Sequence, residues 1–351
     1  MNAATAGAML NYVEGQAGRL RLNRPKTIHA LNLDMVRLMT ASLVAWKDYE
    51  RLRAVLLDHN DGRGFCSGGD INLLRQSALG DGGAVARTFF REEYQLNHLL
   101  FTFPRPVISF MDGITMGGGV GISQPARYRV ATENTRFAMP ETGIGLFPDV
   151  GGGWYLSRLK GRMGHYLGLS GARLDGSECL LTGVATHFLP SDCLPEAKER
   201  IAAGDQPQEV LDAYAITPPE ARVARNAEAI ARHYAFDRFE DILASLAGDA
   251  SEWAVKELAI LRTKSPLACK ITLRQLVDSL ACADFAENMV MEYRISSRMV
   301  VLPDFVEGVR AVIVDKDYAP KWNPATPDGV TDAMIDAIFA PLPANEEWKP
   351  L

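Results

Sequence analysis

The chain contains no apolar run approaching the about 18 residues that a membrane-spanning helix needs, so a partner membrane is not expected. Its N-terminus has neither a charged segment followed by an apolar one nor an Arg-rich, acid-poor stretch. A secretory or organellar leader is therefore not expected, and the chain reads as cytoplasmic. Cysteine is sparse. Five are scattered at Cys66, Cys179, Cys193, Cys269 and Cys282, with no C-x-x-C pair, which fits a reducing compartment better than a disulfide framework. Neither sign of charge dominates. With 37 Lys and Arg against 43 Asp and Glu the net charge is −6; this mildly acidic balance argues against nucleic acid as the main partner, which needs a clustered basic surface, and leaves open a local basic patch for one phosphorylated ligand. The G-x-S-x-G elbow of serine hydrolases is missing, and so are both nucleotide-binding glycine fingerprints. Six histidines are present but none falls in an H-x-x-x-H spacing, so no metal centre is expected. No repeat of 20–50 residues is visible.

What is there reads as a globular enzyme. Apolar residues make up 47% and charged residues 23% of the 351 positions, which is ordinary for a soluble fold. In the first half, short β-branched runs at 20–22, 54–58, 106–111 and 128–131 alternate with amphipathic helical patterns at 34–49 and 85–103. That alternation predicts an α/β arrangement. Beyond about residue 195 strand signals nearly vanish. Helical patterns follow at 219–234, 239–247, 250–264, 266–281 and 284–297, then a Pro-rich tail with one helix near 331–339. The expected division is a catalytic core over 1–195 and a mainly helical region over 196–351.

Three glycine-rich segments each follow a strand or an apolar run. GFCSGGDI (64–71) comes after the strand at 54–58, and DGITMGGGVGIS (112–123) after the strand at 106–111. Stripped of side chains, two such turns can point two backbone N–H groups at one oxygen. That arrangement stabilises charge developing on a carbonyl, as a thioester passing through an enolate or tetrahedral oxyanion requires. The third segment, FAMPETGIGLFPDVGGG (137–153), carries Glu141 and Asp149, eight positions apart in otherwise apolar, glycine-rich surroundings. Buried carboxyls are costly unless paired or used, and an apolar setting raises their pKa into the range of general acid–base work. On the 85–103 helix the apolar stripe Val85, Phe89, Leu96, Leu100, Phe103 includes Glu93, with Glu92 beside it; an acid on that line is a candidate site group.

Together FCSGGDI, DGITMGGGVG and FAMPETGIGLFPDVGGG resemble the hallmark segments of the crotonase (enoyl-CoA hydratase/isomerase) superfamily. Their wording, with FFREEYQLN (89–97) and DFVEGVRAVIVDKDYAPKWNP (304–324), is most similar to its 3-hydroxyisobutyryl-CoA hydrolase branch. The resemblance covers about 22–324. It implies an α/β fold built as a spiral of ββα turns with two roughly perpendicular sheets, followed by C-terminal helices. It implies an oxyanion hole at Gly69 and Gly118, and substrate contacts at Glu93, Gly118, Glu141 and Asp149, with Glu141 and Asp149 catalytic. Coenzyme A, part of the substrate rather than a cofactor, would lie as a bent chain. Its adenine would sit near Gly68, Asp70 and Ile71, with Arg24 and Lys26 bordering it. An acyl-CoA is the implied partner, and a homo-oligomer, a trimer or its multiple, is the implied assembly. Hydratases of the family carry a glutamate where this chain has Gly121, a departure that favours thioester hydrolysis of a short 3-hydroxyacyl-CoA. A hydratase or isomerase of the same fold, and a non-catalytic acyl-CoA-binding subunit, stand as alternatives.

Overall fold

The computed structural model describes residues 7–351; the reading of the N-terminus falls partly on residues 1–6, outside the described residues. The strands are β1 (Met9–Glu14), β2 (Ala17–Leu22), β3 (Ala54–His59), β4 (Gly64–Cys66), β5 (Val107–Met111), β6 (Ile114–Met116), β7 (Tyr128–Ala131), β8 (Arg136–Ala138), β9 (Leu174–Asp175) and β10 (His187–Phe188). They form a six-stranded sheet in the order β1-β2-β3-β5-β7-β10 and a four-stranded sheet in the order β4-β6-β8-β9. Only the β1·β2 and β8·β9 pairs are antiparallel. The chain deposits one strand in the large sheet and the next in the small one: β3 then β4, β5 then β6, β7 then β8. Each pass is followed by helix, because parallel neighbours need a crossover to return.

Helices α1 (Leu33–Trp46), α2 (Ile71–Gly80), α3 (Ala84–Phe101), α4 (Gly118–Ser123), α5 (Gly152–Ser157), α6 (Met163–Ser170) and α7 (Gly176–Thr182) serve these passes. The central strands β3 and β5 are buried on both faces, which explains their unbroken apolar runs. The acidic residue there, Asp58 on β3, is ringed by Arg19 (3.1 Å), Arg21 (3.0 Å) and Lys198 (2.8 Å), as a buried carboxylate must be.

The later helices are α8 (Leu194–Ala203), α9 (Pro207–Tyr214), α10 (Ala227–His233), α11 (Phe239–Ala247), α12 (Glu252–Leu261), α13 (Pro266–Ala281), α14 (Phe285–Met299), α15 (Pro303–Val309) and α16 (Asp332–Phe339). α8 and α9 cover one face of the large sheet, where Ile201, Val210 and Leu211 meet Leu56, Ile108, Phe110 and Val130. α13 packs on α5 and α14 on α3, within one apolar core that runs from Met9 to Trp348. The tail folds back onto α3. Trp348 is buried, its indole N–H donating to the Arg91 carbonyl at 3.1 Å. The Arg91 guanidinium donates in turn to the Glu347 carbonyl at 2.9 Å.

The helix expected over 219–234 is shorter. A 3-10 turn covers Arg222–Asn226 and α10 starts at Ala227, because Pro218 and Pro219 hold the preceding residues extended. Val85 is 43% exposed and so lies off the buried stripe of α3, where Phe90 and Tyr94 are buried instead. All five cysteines are free; Cys66, Cys179 and Cys269 are buried, Cys193 and Cys282 half-buried.

Candidate active site

Two turns at the ends of β4 and β6 form the floor of the site. After Cys66 the chain bends through Gly68 at φ +117°. It is pinned to the stretch before α1 by the Leu31 N–H donating to the Gly68 carbonyl (2.7 Å) and the Asp70 N–H donating to the Leu31 carbonyl (2.9 Å). This leaves the Gly69 N–H without an acceptor among the described residues. After Met116, Gly117 turns at φ +49° and α4 begins at Gly118. As a first-turn donor the Gly118 N–H has no intrahelical acceptor. A Cβ placed on Gly118 would stand 3.1 Å from the Gly69 nitrogen and 2.7 Å from Glu93 Oε1. The two amides therefore border one small space, with the Glu93 carboxyl beside it. A Cβ on Gly117 would stand 3.2 Å from Glu141 Oε1, so the Glu93 and Glu141 carboxyls flank the Gly117–Gly118 stretch.

Three acids converge here. Glu93 reaches in from α3, Glu141 opens a 3-10 turn after β8, and Asp149 sits in the loop before α5. They are 2%, 5% and 5% exposed, and none forms a salt bridge among the described residues. Glu93 Oε1 and Glu141 Oε2 have no hydrogen-bond partner among the described residues. Burial, and then the charge of Asp149, pushes both glutamates well above the usual carboxyl range. Burial also pushes Asp149 up, to about 7, against the pull of the Tyr94 hydroxyl, which donates to its Oδ2 at 2.8 Å. Tyr94 follows Glu93 on α3, so one helix turn positions a site acid and the partner of another.

The acids and both amides line a cleft of about 550 Å³. Gly68, Gly69, Ile71, Gly118, Glu93, Glu141 and Asp149 all border it, whereas Arg24, Lys26 and Asp70 do not. Arg24 donates to the Ala30 carbonyl and lies 3.8 Å from Asp70. Lys26 is exposed, and Asp70 caps α2 by accepting from the Leu73 N–H. Phe89, Phe90 and Leu146 give the cleft apolar walls. The far side comes from residues that sequence reasoning did not single out: Arg173, Lys264, and Val312, Ile313 and Tyr318 beyond α15. Lys264 has no ion-pair partner among the described residues, and burial lowers its pKa. At Gly121 a side chain would collide with Val150 and meet Asn97 Nδ2 at 3.1 Å, so the position where family hydratases carry an acid is filled here by packing.

Two amides at strand ends beside buried acids, on strands divided between two sheets and backed by C-terminal helices, form an arrangement able to support acyl transfer or enolate formation. The family profile described as Enoyl-CoA hydratase/isomerase matches residues 17–339, and the chain belongs to that family. Among curated relatives, "3-hydroxyisobutyryl-CoA hydrolase, mitochondrial" of Xenopus tropicalis is 43% identical over 98% of this chain and 91% of its own length. The Homo sapiens protein of the same name is 38% identical over 95% and 88%. Among solved structures, a carnitinyl-CoA dehydratase from Mycobacterium thermoresistibile superposes with a TM-score of 0.92 at 39% identity, covering 97% of this chain and 98% of that one. An enoyl-CoA hydratase from Rhodobacter sphaeroides 2.4.1 gives 0.91 at 35% identity, covering 98% and 100%. The expected crotonase-type α/β fold is thus borne out. No helix among the described residues is long and apolar enough to cross a membrane.

Proposed function

We propose that this chain hydrolyses a short 3-hydroxyacyl-CoA thioester, with 3-hydroxyisobutyryl-CoA, a valine-breakdown intermediate, as the leading substrate. The observation that carries the reading is the pair of unengaged amides, Gly69 and Gly118, bordering one space beside Glu93 and close to Glu141. The names of the curated relatives support it. The thioester oxygen would accept from both amides, which stabilises the oxyanion. Glu141 would then attack the carbonyl carbon, forming a mixed anhydride as the C–S bond breaks, or would deprotonate a water that attacks instead. Asp149 would orient the substrate hydroxyl and pass a proton to the leaving thiolate, a task suited to a carboxyl held near 7. Glu93 would contact the polar end of the acyl group. No step needs a metal or a further cofactor. Coenzyme A would enter past Ile71, with Lys264 and Arg173 the cations placed on the cleft wall. Arg24 and Lys26 would serve it only from outside the wall.

The test is free-thiol release from a panel of acyl-CoAs, with the Glu141→Gln variant alongside. Release by the parent chain and its loss in the variant, with acyl-CoA binding retained, are expected; near-normal turnover of the variant sinks the assignment. Oxygen-18 appearing in the enzyme during a single turnover would select the anhydride route. A second reading, hydration of an enoyl-CoA, is favoured by two carboxyls flanking Gly117–Gly118 and by the names of the two solved relatives. Loss of crotonyl-CoA absorbance without thiol release would establish it. For compartment we propose the cytoplasm, although the curated relatives are named mitochondrial; imaging of a tagged chain decides. A trimer or its multiple is the proposed assembly, to be measured by sedimentation.

A further inference from the structure

Asp149 lies in a loop that does not hold itself. Val150 has φ +53° and Gly151 φ +87°, and a β-branched residue in that region is strained unless its surroundings fix it. Two helices from the far end of the chain do so. From α13, the Gln275 side-chain amide donates to the Pro148 carbonyl at 2.7 Å. From α14, Glu292 accepts the Gly151 N–H on Oε2 at 2.7 Å and the Gly153 N–H on Oε1 at 3.0 Å. The same Oε1 accepts from Gln275 Nε2 (3.0 Å) and Asn288 Nδ2 (2.9 Å). Glu292 is fully buried and has no cationic partner among the described residues. Four donors converge on this one carboxyl, and burial nonetheless pushes it up, to about 8. A buried acid without a counter-ion is costly to keep where packing alone is needed.

We propose that Glu292, tied to Gln275, is a positioning residue of the reaction: a latch that brackets Asp149 from both sides and sets its carboxyl against the substrate. The proposal rests on Asp149 being the proton partner of the hydrolysis. The latch touches neither the Gly69 and Gly118 amides nor Glu141, so it acts on the chemical step and leaves acyl-CoA binding alone. Truncating it matters only while Asp149 is there to be positioned.

A double-mutant cycle on the full chain tests this, read as thiol release from 3-hydroxyisobutyryl-CoA. Glu292→Gln is expected to lower kcat about 10–100-fold with KM within about threefold. In an Asp149→Asn background the same change should alter kcat by less than about threefold, since coupled sites fail to add. An equal loss in both backgrounds, or no loss in either, overturns the latch. Full turnover by Asp149→Asn alone would instead overturn the role given to Asp149, a separate failure. If Glu292→Gln does not fold, Gln275→Met, which leaves three donors on Glu292, carries the test. A kcat fall of about 3–10-fold, absent in the Asp149→Asn background, is then expected, and an unchanged kcat overturns the proposal.

Discussion

Gly118 shows how much one missing side chain does. A methyl there would enter the space between Gly69 N and Glu93 Oε1, where the thioester oxygen is proposed to sit. Its backbone is helical, without a positive φ, so the cost of the methyl is one of space: Glu93 Oε1 at 2.7 Å and the Gly69 nitrogen at 3.1 Å would have to give way. Gly118→Ala is expected to cut kcat/KM by about 10²-fold or more; a variant with parent-level turnover would remove the oxyanion role. The acids give a second prediction. Asp149 raises both Glu93 and Glu141 by its charge. Ionisation of Glu141, needed for attack or for base action, is therefore delayed to higher pH. The rate should rise as Glu141 ionises and fall through about 7 as Asp149 loses the proton it passes to the leaving thiolate, both limbs belonging to the cluster rather than to one residue. Asp149→Asn removes the repulsion and the acid together, so the residual activity of that variant should show its rising limb at lower pH and no fall near 7. At this scale the sequence was informative wherever an acid stood against an apolar pattern. Glu93 on the stripe of α3 is buried, and its neighbour Glu92 turns outward to Arg37 at 2.7 Å. Glu292 escaped notice because, on an amphipathic helix, an acid is ordinary until its four donors are seen. Lys264 escaped because nothing local separates a cleft lysine from a surface one.

Among the elements, α3 carries Glu93 and Tyr94 on one side and is clamped by the tail on the other. Trp348 fills the space beside His98, their rings 5.8 Å apart, and bonds Arg91. The Arg294–Glu347 ion pair at 2.9 Å joins the same tail to α14. Trp348→Ala should cost about 3–5 kcal/mol of stability, the range for a buried indole. It should also lower activity by loosening the helix that holds two site groups. Urea unfolding gives the first quantity, and a cost under about 1 kcal/mol would show that the tail is not docked in solution. Long helices such as α13 and α14 were readable from 3.6-residue spacing. The strands β4, β6, β8, β9 and β10, of two or three residues each, were not, since a period of two needs more positions to show. Yet it is the ends of β4 and β6 that aim the amides, and those were found through their glycines.

The whole molecule keeps its acids buried inside a core that joins the spiral to the C-terminal helices, and this makes stability depend on pH. A carboxyl raised by the fold stabilises the folded chain where it is protonated in both states, below its ordinary range. That contribution is lost as pH rises through the folded value, about 7 for Asp149. For a shift from 3.8 to about 7 the loss is about 4 kcal/mol. Asp149→Asn should accordingly be more stable than the parent chain at pH 8.5 and about equal at pH 4, as denaturant titration would show. A variant less stable at pH 8.5 would mean that Asp149 is compensated in the free protein. The architecture at this scale was read through resemblance of the three glycine segments. The cleft wall beyond α15 was not, because only the return of the chain over the core brings Tyr318 to the cleft that Glu141 lines.

The placement of the thiols bears on how this protein is assayed. Cys66, Cys179 and Cys269 are sealed in the interior, and burial pushes Cys66 up to about 12, so native protein offers thiol reagents little beyond Cys193 and Cys282. Replacing those two with serine would leave a chain almost silent to the colorimetric reagent that detects released coenzyme A. The remaining three would then become a built-in unfolding signal, labelled only when the core opens.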